Sequence, residues 1–166
     1  GGEVEVWGVE ASADGELGRL LGRALPVEVP LRAAYTFTRA EFGNAFETDF
    51  PAWGPLVEPG DELPYVPEQQ LSLGAGVVTG RTRTFVDVSW QDEMRTVSGS
   101  GPIAAGGGTD ARWLVDLAAE VRLVGALRLT AQVRNLTDEI HVVARQPAGA
   151  RPGLPRTTLV GLSWGF

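Results

Sequence analysis

Hydrophobic and polar residues alternate one by one along much of the chain, which is the period of a β-strand with one apolar and one polar face. The clearest stretch covers residues 113–134 and is interrupted by a glycine-containing turn at 124–126. After the turn, every second residue is polar: Arg128, Thr130, Gln132 and Arg134. A helix would spread these four side chains around its circumference, whereas a strand places all four on one face. The pattern therefore predicts two strands joined by a hairpin.

The same alternation recurs in five further segments and predicts an all-β fold, an antiparallel meander of about seven strands. Each segment is about ten residues long, which is the length that a tilted strand needs to cross a lipid bilayer. We therefore expect the strands to form part of a transmembrane β-barrel. The residues that share the mainly apolar face of each segment are Trp7, Val9, Ala11 and Ala13; Leu31, Ala33, Tyr35 and Phe37; Leu71, Leu73, Ala75 and Val77; Val86, Val88 and Trp90; and Thr158, Val160, Leu162, Trp164 and Phe166.

The connections between the segments alternate in length. Two are tight turns, at 79–82 and 124–126, and the connection at 14–28 is of intermediate length. Short turns on one side of a sheet and long loops on the other are typical of an outer-membrane barrel. We interpret 14–28 as a longer hairpin or a small excursion on the short-turn side. The long connections are rich in Gly, Pro, Asp and Glu and cover residues 40–68, 92–111 and 138–155.

Two alternatives to this barrel remain open at the level of pattern. One is a soluble β-sandwich binding module, in which the apolar faces pack on each other. The other is a passive porin-type barrel. Aromatic residues near the strand ends favour a membrane protein, because their amphipathic rings prefer the bilayer boundary. These residues are Trp7, Tyr35, Phe37, Trp90, Trp113, Trp164 and Phe166.

Composition excludes several classes of site. The 166 residues include no Cys and a single His, so neither thiolate metal sites nor a Ser–His triad are expected. The net charge is −7, and an acidic chain without a basic stripe does not favour nucleic acid. The sequence indicates no catalytic residue, no metal site and no cofactor. It opens at Gly1 without a start Met or a signal sequence, so we expect a fragment of a longer protein.

Several segments, taken in order, resemble those of TonB-dependent outer-membrane receptors. Residues 133–139 (VRNLTDE) are similar to the element on the penultimate strand of that family. A loop ending in Pro-Gly-Leu-Pro-Arg at 152–156 follows, and a last strand then ends at Phe166. Within the family, the layout from Pro67 to Phe166 is most similar to iron-citrate and related siderophore receptors. Further similar segments are Trp7-Gly8-Val9-Glu10, Ala34-Tyr35-Thr36-Phe37-Thr38, Tyr65-Val66-Pro67-Glu68 and Val115-Asp116-Leu117.

This resemblance implies a fold, a location and a set of partners. Family members are barrels of about 22 strands whose lumen is plugged by an N-terminal domain. Residues 1–166 would then be the C-terminal portion of the barrel, without the plug. The implied function is TonB-energised uptake of a ferric siderophore or similar nutrient across the outer membrane of a Gram-negative bacterium, and not catalysis. The implied partners are the rest of the barrel and the plug, TonB acting through the plug, the barrel assembly machinery, a ferric chelate and outer-membrane lipid.

Four residues are candidates for specific roles. Arg145, Arg151 and Arg156 flank the last long loop, and their forked guanidinium donors suit the carboxylates of an acidic ferric chelate. Phe166 resembles the C-terminal aromatic signal that the barrel assembly machinery reads. Residues 135–139 are expected to have a structural role where the strand leaves the membrane.

Overall fold

The computed structural model describes residues 2–165, and its regular secondary structure is almost entirely β-strand. Its one short helix, α1, covers Leu17–Leu20. Seven strands are long and four have only two or three residues. The strands are β1 (Val4–Glu16), β2 (Pro30–Phe42), β3 (Phe46–Glu47), β4 (Leu56–Val57), β5 (Gln69–Val78), β6 (Thr82–Gln91), β7 (Arg112–Arg122), β8 (Leu127–Arg134), β9 (Val142–Ala144), β10 (Arg151–Pro152) and β11 (Thr157–Trp164).

The seven long strands form one antiparallel sheet in the order β1-β2-β5-β6-β7-β8-β11. Each pairs with the next long strand along the chain, so the sheet is a meander, and the predicted all-β fold of about seven strands is confirmed. In the part of the chain that the structure describes, β1 and β11 do not pair with each other. The sheet is therefore an open segment of barrel wall with an edge on each side.

The strand register gathers the alternating apolar residues on one continuous face. Trp90 stands opposite Trp113, and Ala131 stands opposite Val160. Directly opposed residues of antiparallel strands share a face, so this surface runs unbroken across the sheet. Val160 is 71% exposed, and no second sheet of the described residues covers this face. The sandwich alternative, which requires two packed sheets, is therefore wrong.

The opposite face of the sheet carries polar and charged side chains. Arg32 and Asp87 form an ion pair across β5, where Gly74 stands between them in the register. Only glycine leaves room for this contact, because a Cβ at Gly74 would lie 2.5 Å from Arg32 Nε. Leu159 and Phe85 are apolar exceptions on this face.

The short connections lie at one end of the sheet, which we call the turn end. Thr79 N donates to Thr82 O at 2.8 Å in the tight turn between β5 and β6. The connection between β1 and β2 contains α1, whose first turn is capped by the Glu16 carboxylate at 2.9 Å from Arg19 N. Of the two forms expected for 14–28, a longer hairpin or a small excursion, the structure shows the small excursion. No helix of the described residues is long and apolar enough to cross a membrane.

Candidate functional site

The three long connections lie together at the other end of the sheet, which we call the loop end. They cover residues 43–68, 92–111 and 135–156, and we refer to them as the first, second and third loops. Short strand pairs brace two of them, since β3 pairs with β4 and β9 pairs with β10. The buried hydrophobic residues of the described chain are at this end: Ala40, Phe42, Val57 and Met94. The loops therefore form a packed cap on the sheet.

An aromatic cluster anchors the first loop. Phe42 is the last residue of β2, is 1% exposed, and shares its face of the strand with Arg32. The rings of Phe46 and Trp53 meet the Phe42 ring at centroid distances of 5.5 and 5.4 Å. The first loop therefore packs against the polar-face side of the sheet, over the mouth of the barrel segment. Phe50 extends the cluster, with its ring 5.1 Å from that of Trp53.

Tyr65 ties the first loop to the third. Its hydroxyl accepts hydrogen bonds from the backbone N–H groups of Arg145 at 3.2 Å and Gln146 at 2.9 Å. Its φ of +61° lies in the left-handed region, which is unusual for a bulky residue. The hydroxyl is thus the shared acceptor for two consecutive amides some eighty residues further along the chain.

Arg95 ties the first loop to the second. Its guanidinium is mostly buried, with Nε donating to Glu62 Oε2 at 2.7 Å and Nη2 donating to Gly101 O at 2.6 Å. The backbone N–H of Glu62 also donates to Gly99 O at 2.9 Å. The three loops therefore form one hydrogen-bonded unit rather than three independent excursions.

The structure separates the three candidate arginines. Arg145 Nε donates to Gly108 O in the second loop, and Arg151 Nη2 donates to Gln146 O at 3.0 Å. Both therefore lie around the Gln146 segment of the third loop. Arg156 is elsewhere, at the base of this loop, where its guanidinium is 3.8 Å from an Asp138 carboxylate oxygen. The fourth candidate, Phe166, lies outside the described residues.

The 135–139 element builds the exit from β8. Asn135 is 4% exposed and adopts a φ of +50°. Its side-chain amide donates to Glu139 O and Leu154 O, both at 3.0 Å, while its Oδ1 accepts from Glu139 N at 2.9 Å. Asp138 also has a positive φ, of 56°, and its Oδ1 accepts from Arg156 N at 2.9 Å. These contacts close the base of the third loop.

His141 is buried beside this element, and its Nδ1 lies 3.2 Å from Glu139 O. Gly153 packs against the imidazole so closely that a Cβ there would lie 2.0 Å from Nε2. The ring is therefore part of the packing within the third loop. No group of three or more His, Asp or Glu side chains among residues 2–165 is arranged to hold a metal ion.

A cavity that the sequence does not predict lies between the first and third loops. Its volume is about 410 Å³, and its lining includes Phe50, Trp53, Leu63, Tyr65, Gln146 and Pro147. A sequence signal was nonetheless present, because four aromatic residues of the first loop lie in a stretch, 40–80, that has no basic residue. This cavity is a candidate ligand site at the loop end, and Arg145 and Arg151 neighbour its Gln146 wall without lining it.

A family profile described as "TonB dependent receptor-like, beta-barrel" matches residues 1–136. The chain belongs to this family of TonB-dependent receptor β-barrels. Its relatives are transport receptors of the outer membrane of Gram-negative bacteria, and the apolar face of this sheet is accordingly a lipid-facing barrel wall. The predicted family, fold class and location are confirmed. No curated protein matches the sequence significantly.

Three solved structures share the fold of this TonB-dependent receptor chain. The siderophore receptor PiuA from Acinetobacter baumannii superposes with a TM-score of 0.71 at 18% identity, covering 98% of this chain and 22% of its own. The ferric citrate transporter FecA in its unliganded form superposes with a TM-score of 0.73 at 19% identity, and the match covers 96% of this chain and 24% of FecA. The ferric-catecholate import receptor Fiu from E. coli K12 superposes with a TM-score of 0.55 at 16% identity, and the match covers 95% of this chain and 32% of Fiu. The chain thus spans about a quarter of the length of these receptors.

Proposed function

We propose that the chain supplies wall strands and outer loops to a receptor that takes up a ferric siderophore or similar nutrient with energy from TonB. The observation that carries the proposal is the family match over residues 1–136. The sheet supports it, because seven bilayer-length strands present a continuous apolar face to lipid and a polar face to the barrel interior. The role is transport, and no residue is assigned to catalysis.

Residues 1–166 are proposed to be the C-terminal portion of the barrel. The VRNLTDE segment at 133–139 and the Pro-Gly-Leu-Pro-Arg segment at 152–156 support this position. The edges of β1 and β11 need partner strands, because unpaired backbone groups are not tolerated in lipid. The remaining strands of the receptor would supply these partners, and a plug in its lumen would be the element on which TonB acts. Phe166 would be the residue read by the barrel assembly machinery.

The loop end is proposed to contribute to ligand capture from outside the cell. Arg145 and Arg151 lie on either side of Gln146 in the third loop, where a guanidinium fork suits a carboxylate or another oxyanion of a ferric chelate. Of the three arginines, Arg156 is proposed to make the weakest ligand contact, because its guanidinium already has a carboxylate neighbour in Asp138.

The test is uptake by the full-length receptor that carries this chain. A Gram-negative strain lacking its other ferric-chelate receptors would express the receptor, and accumulation of radioactive iron from a panel of ferric chelates would be measured. We expect accumulation that requires both the receptor and TonB. Accumulation that is the same with and without TonB would contradict the proposal and favour a passive porin-type barrel.

The matched variants test the loop contacts. Arg145→Gln and Arg151→Gln should reduce uptake of an anionic chelate, whereas Arg81→Gln at the turn end should not. Arg81 lies in the tight turn between β5 and β6, on the opposite end of the sheet. If all three variants behave alike, the two loop arginines have no role in ligand capture.

A further inference from the structure

Three aromatic side chains line the cavity between the first and third loops. Phe50, Trp53 and Tyr65 come from the first loop, and Pro147 contributes from the third. The volume of about 410 Å³ lies in the range of small-molecule sites. None of the described side chains that line the cavity is charged.

The rings are held by contacts that do not depend on a ligand. Trp53 packs against Phe42 and Phe46, with ring centroids 5.4 and 5.8 Å away. Tyr65 is fixed by the two amides that donate to its hydroxyl. Phe50 contacts Trp53 and is still 54% exposed, so it offers a ring with free surface. The cavity is therefore preformed, with at least one ring available to a guest.

The chain segment that carries these rings is acidic. Residues 40–80 contain no basic residue and seven acidic ones: Glu41, Glu47, Asp49, Glu58, Asp61, Glu62 and Glu68. Glu41 and Glu62 pair with Arg39 and Arg95. Asp49, next to Phe50 in the chain, is exposed and has no ionic partner among the described residues.

The arginines around the cavity are bonded within the protein: Arg95, whose backbone O accepts from Tyr65 N at 3.0 Å, pairs with Glu62. Arg145 Nε donates to Gly108 O, and Arg151 Nη2 donates to Gln146 O. The guanidinium groups of Arg145 and Arg151 are thus engaged within the protein, whereas Asp49 in the first loop has no ionic partner among the described residues. An aromatic ring carries negative charge on its face and attracts a cation placed over it.

We propose that this cavity binds an organic cation, a quaternary or protonated amine with a compact apolar body, through the faces of Phe50, Trp53 and Tyr65. The cation would be attracted by the ring faces and by the acidic first loop, and its methyl groups would fill the apolar lining. The proposal rests on the proposed function only for the side of the membrane to which the cavity opens. It gives the receptor a site whose charge preference is opposite to that of the Arg145 and Arg151 contacts.

The experiment uses three soluble probes of matched shape and different charge. They are choline, its neutral analogue 3,3-dimethylbutan-1-ol, and the anion 3,3-dimethylbutanoate. Each is titrated into the full-length receptor in detergent, and dissociation constants are obtained from saturation-transfer NMR of the methyl protons. We expect choline to bind about tenfold more tightly than the alcohol, which is the effect of one favourable cation–π contact, and the anion to bind most weakly.

Three single variants at two positions locate the site. Phe50→Leu should weaken choline binding severalfold and change binding of the alcohol little, while Phe50→Tyr, which keeps a ring, should bind choline as the unmodified receptor does. Asp49→Asn should also weaken only choline. Because Phe50 and Asp49 are exposed, these variants are compatible with folding, which the heat-modifiable gel mobility of the receptor verifies.

Four outcomes would overturn the proposal: equal affinity for choline and the alcohol, preference for the anion, no binding of choline, or choline binding that Phe50→Leu leaves unchanged. Iron accumulation is also measured with the Phe50→Leu receptor, so that an effect on choline binding can be told apart from an effect on iron uptake. Loss of TonB-dependent uptake in the unmodified receptor would contradict the transport role without bearing on the cavity, and failure of the choline titration would leave the transport role intact.

Discussion

At the scale of single residues, backbone conformation explains the conspicuous segment after β8. Asn135 and Asp138 both have positive φ, and Asn and Asp are the non-glycine residues that tolerate this region best. Their side chains then satisfy backbone groups at the base of the third loop, including Leu154 O and Arg156 N. The identity of these residues is therefore set by local geometry, independently of any ligand.

Replacing Asn135 tests this account. Asn135→Ala places a residue without a polar side chain in the left-handed region and removes the amide that donates to Glu139 O and Leu154 O. We expect local opening of the third loop to become easier by about 2–4 kcal/mol. The measurement is hydrogen exchange of the 136–156 segment in the full-length receptor.

Two substitutions serve as controls for Asn135→Ala. Asn135→Gly removes the same hydrogen bonds but accepts the positive φ, so it should recover the backbone part of the loss, about 1–2 kcal/mol. Leu136→Ala changes the exposed neighbour and should leave exchange unchanged. Exchange in Asn135→Ala equal to that of the unmodified receptor would show that the segment does not depend on this residue.

Residue-scale features differ in how far the sequence predicts them. The structural role of 135–139 is visible in the sequence through its resemblance to a family element, and part of its cause is local: the positive φ of Asn135 and Asp138 and the bonds between Asn135 and Glu139. The role of Tyr65 is not visible in the sequence. Its hydroxyl accepts from amides about eighty positions away, and the residues next to Tyr65 in the chain do not indicate such a contact. The same holds for the cavity, whose walls come from two loops.

At the scale of elements, the alternating pattern defines both the strands and their two faces. A shift of register by one residue would move every apolar side chain to the wrong face, so the pattern fixes the register where one face meets lipid. It does not define β3, β4, β9 and β10, which have two or three residues each and form only when the loops pack. The alternating pattern also does not predict the helix α1; it predicts only a connection of intermediate length between β1 and β2.

Neighbouring residues of β11 provide a matched test of the two faces. Val160 stands opposite Ala131 on the apolar face, and Leu159 stands opposite Gln132 on the polar face. Val160→Arg places a cation near the middle of the strand against lipid and should destabilise the barrel by about 2–4 kcal/mol. Leu159→Arg places the same side chain in the watery interior and should cost less than about 1 kcal/mol.

The measurement is the urea midpoint of the heat-modifiable gel shift for the full-length receptor in lipid vesicles. A midpoint lowered by Val160→Arg and preserved in Leu159→Arg is expected. Equal effects of the two variants would mean that the faces are assigned incorrectly, and a larger effect of Leu159→Arg would reverse the assignment.

At the scale of the whole molecule, the three loops form one hydrogen-bonded unit. The Tyr65 hydroxyl links the first loop to the third, so its removal should make local opening of the third loop easier. Trypsin cleavage measures this contact directly, because the peptide bond after Arg145 contains the Gln146 amide, and the Tyr65 hydroxyl accepts from the amides of both residues. Arg151 precedes Pro152 and is a poor cleavage site. Tyr65→Phe removes two hydrogen bonds of roughly 1 kcal/mol each, so cleavage after Arg145 should become about ten- to thirtyfold faster.

Tyr35→Phe is the control for the tryptic experiment, since it removes a tyrosine hydroxyl bonded to Gln69 Oε1 at 3.0 Å in the sheet and not in the cap. Its cleavage rate should equal that of the unmodified receptor. If Tyr65→Phe also leaves the rate unchanged, the third loop is held by other contacts, such as the bond from Arg145 Nε to Gly108 O.

The open sheet leads to a prediction about the seven strands as a body. The edge of β1 and the edge of β11 each present a row of unpaired backbone groups, which lipid does not tolerate. Residues 1–166 produced alone should therefore give no heat-modifiable, protease-resistant species in lipid vesicles. Produced together with the remaining segment of the receptor as a second chain, they should yield such a species, because the second chain supplies strands to both edges. A protease-resistant monomer formed by residues 1–166 alone would show that the two edges pair with each other, and that these strands close a small barrel instead of forming part of a larger wall.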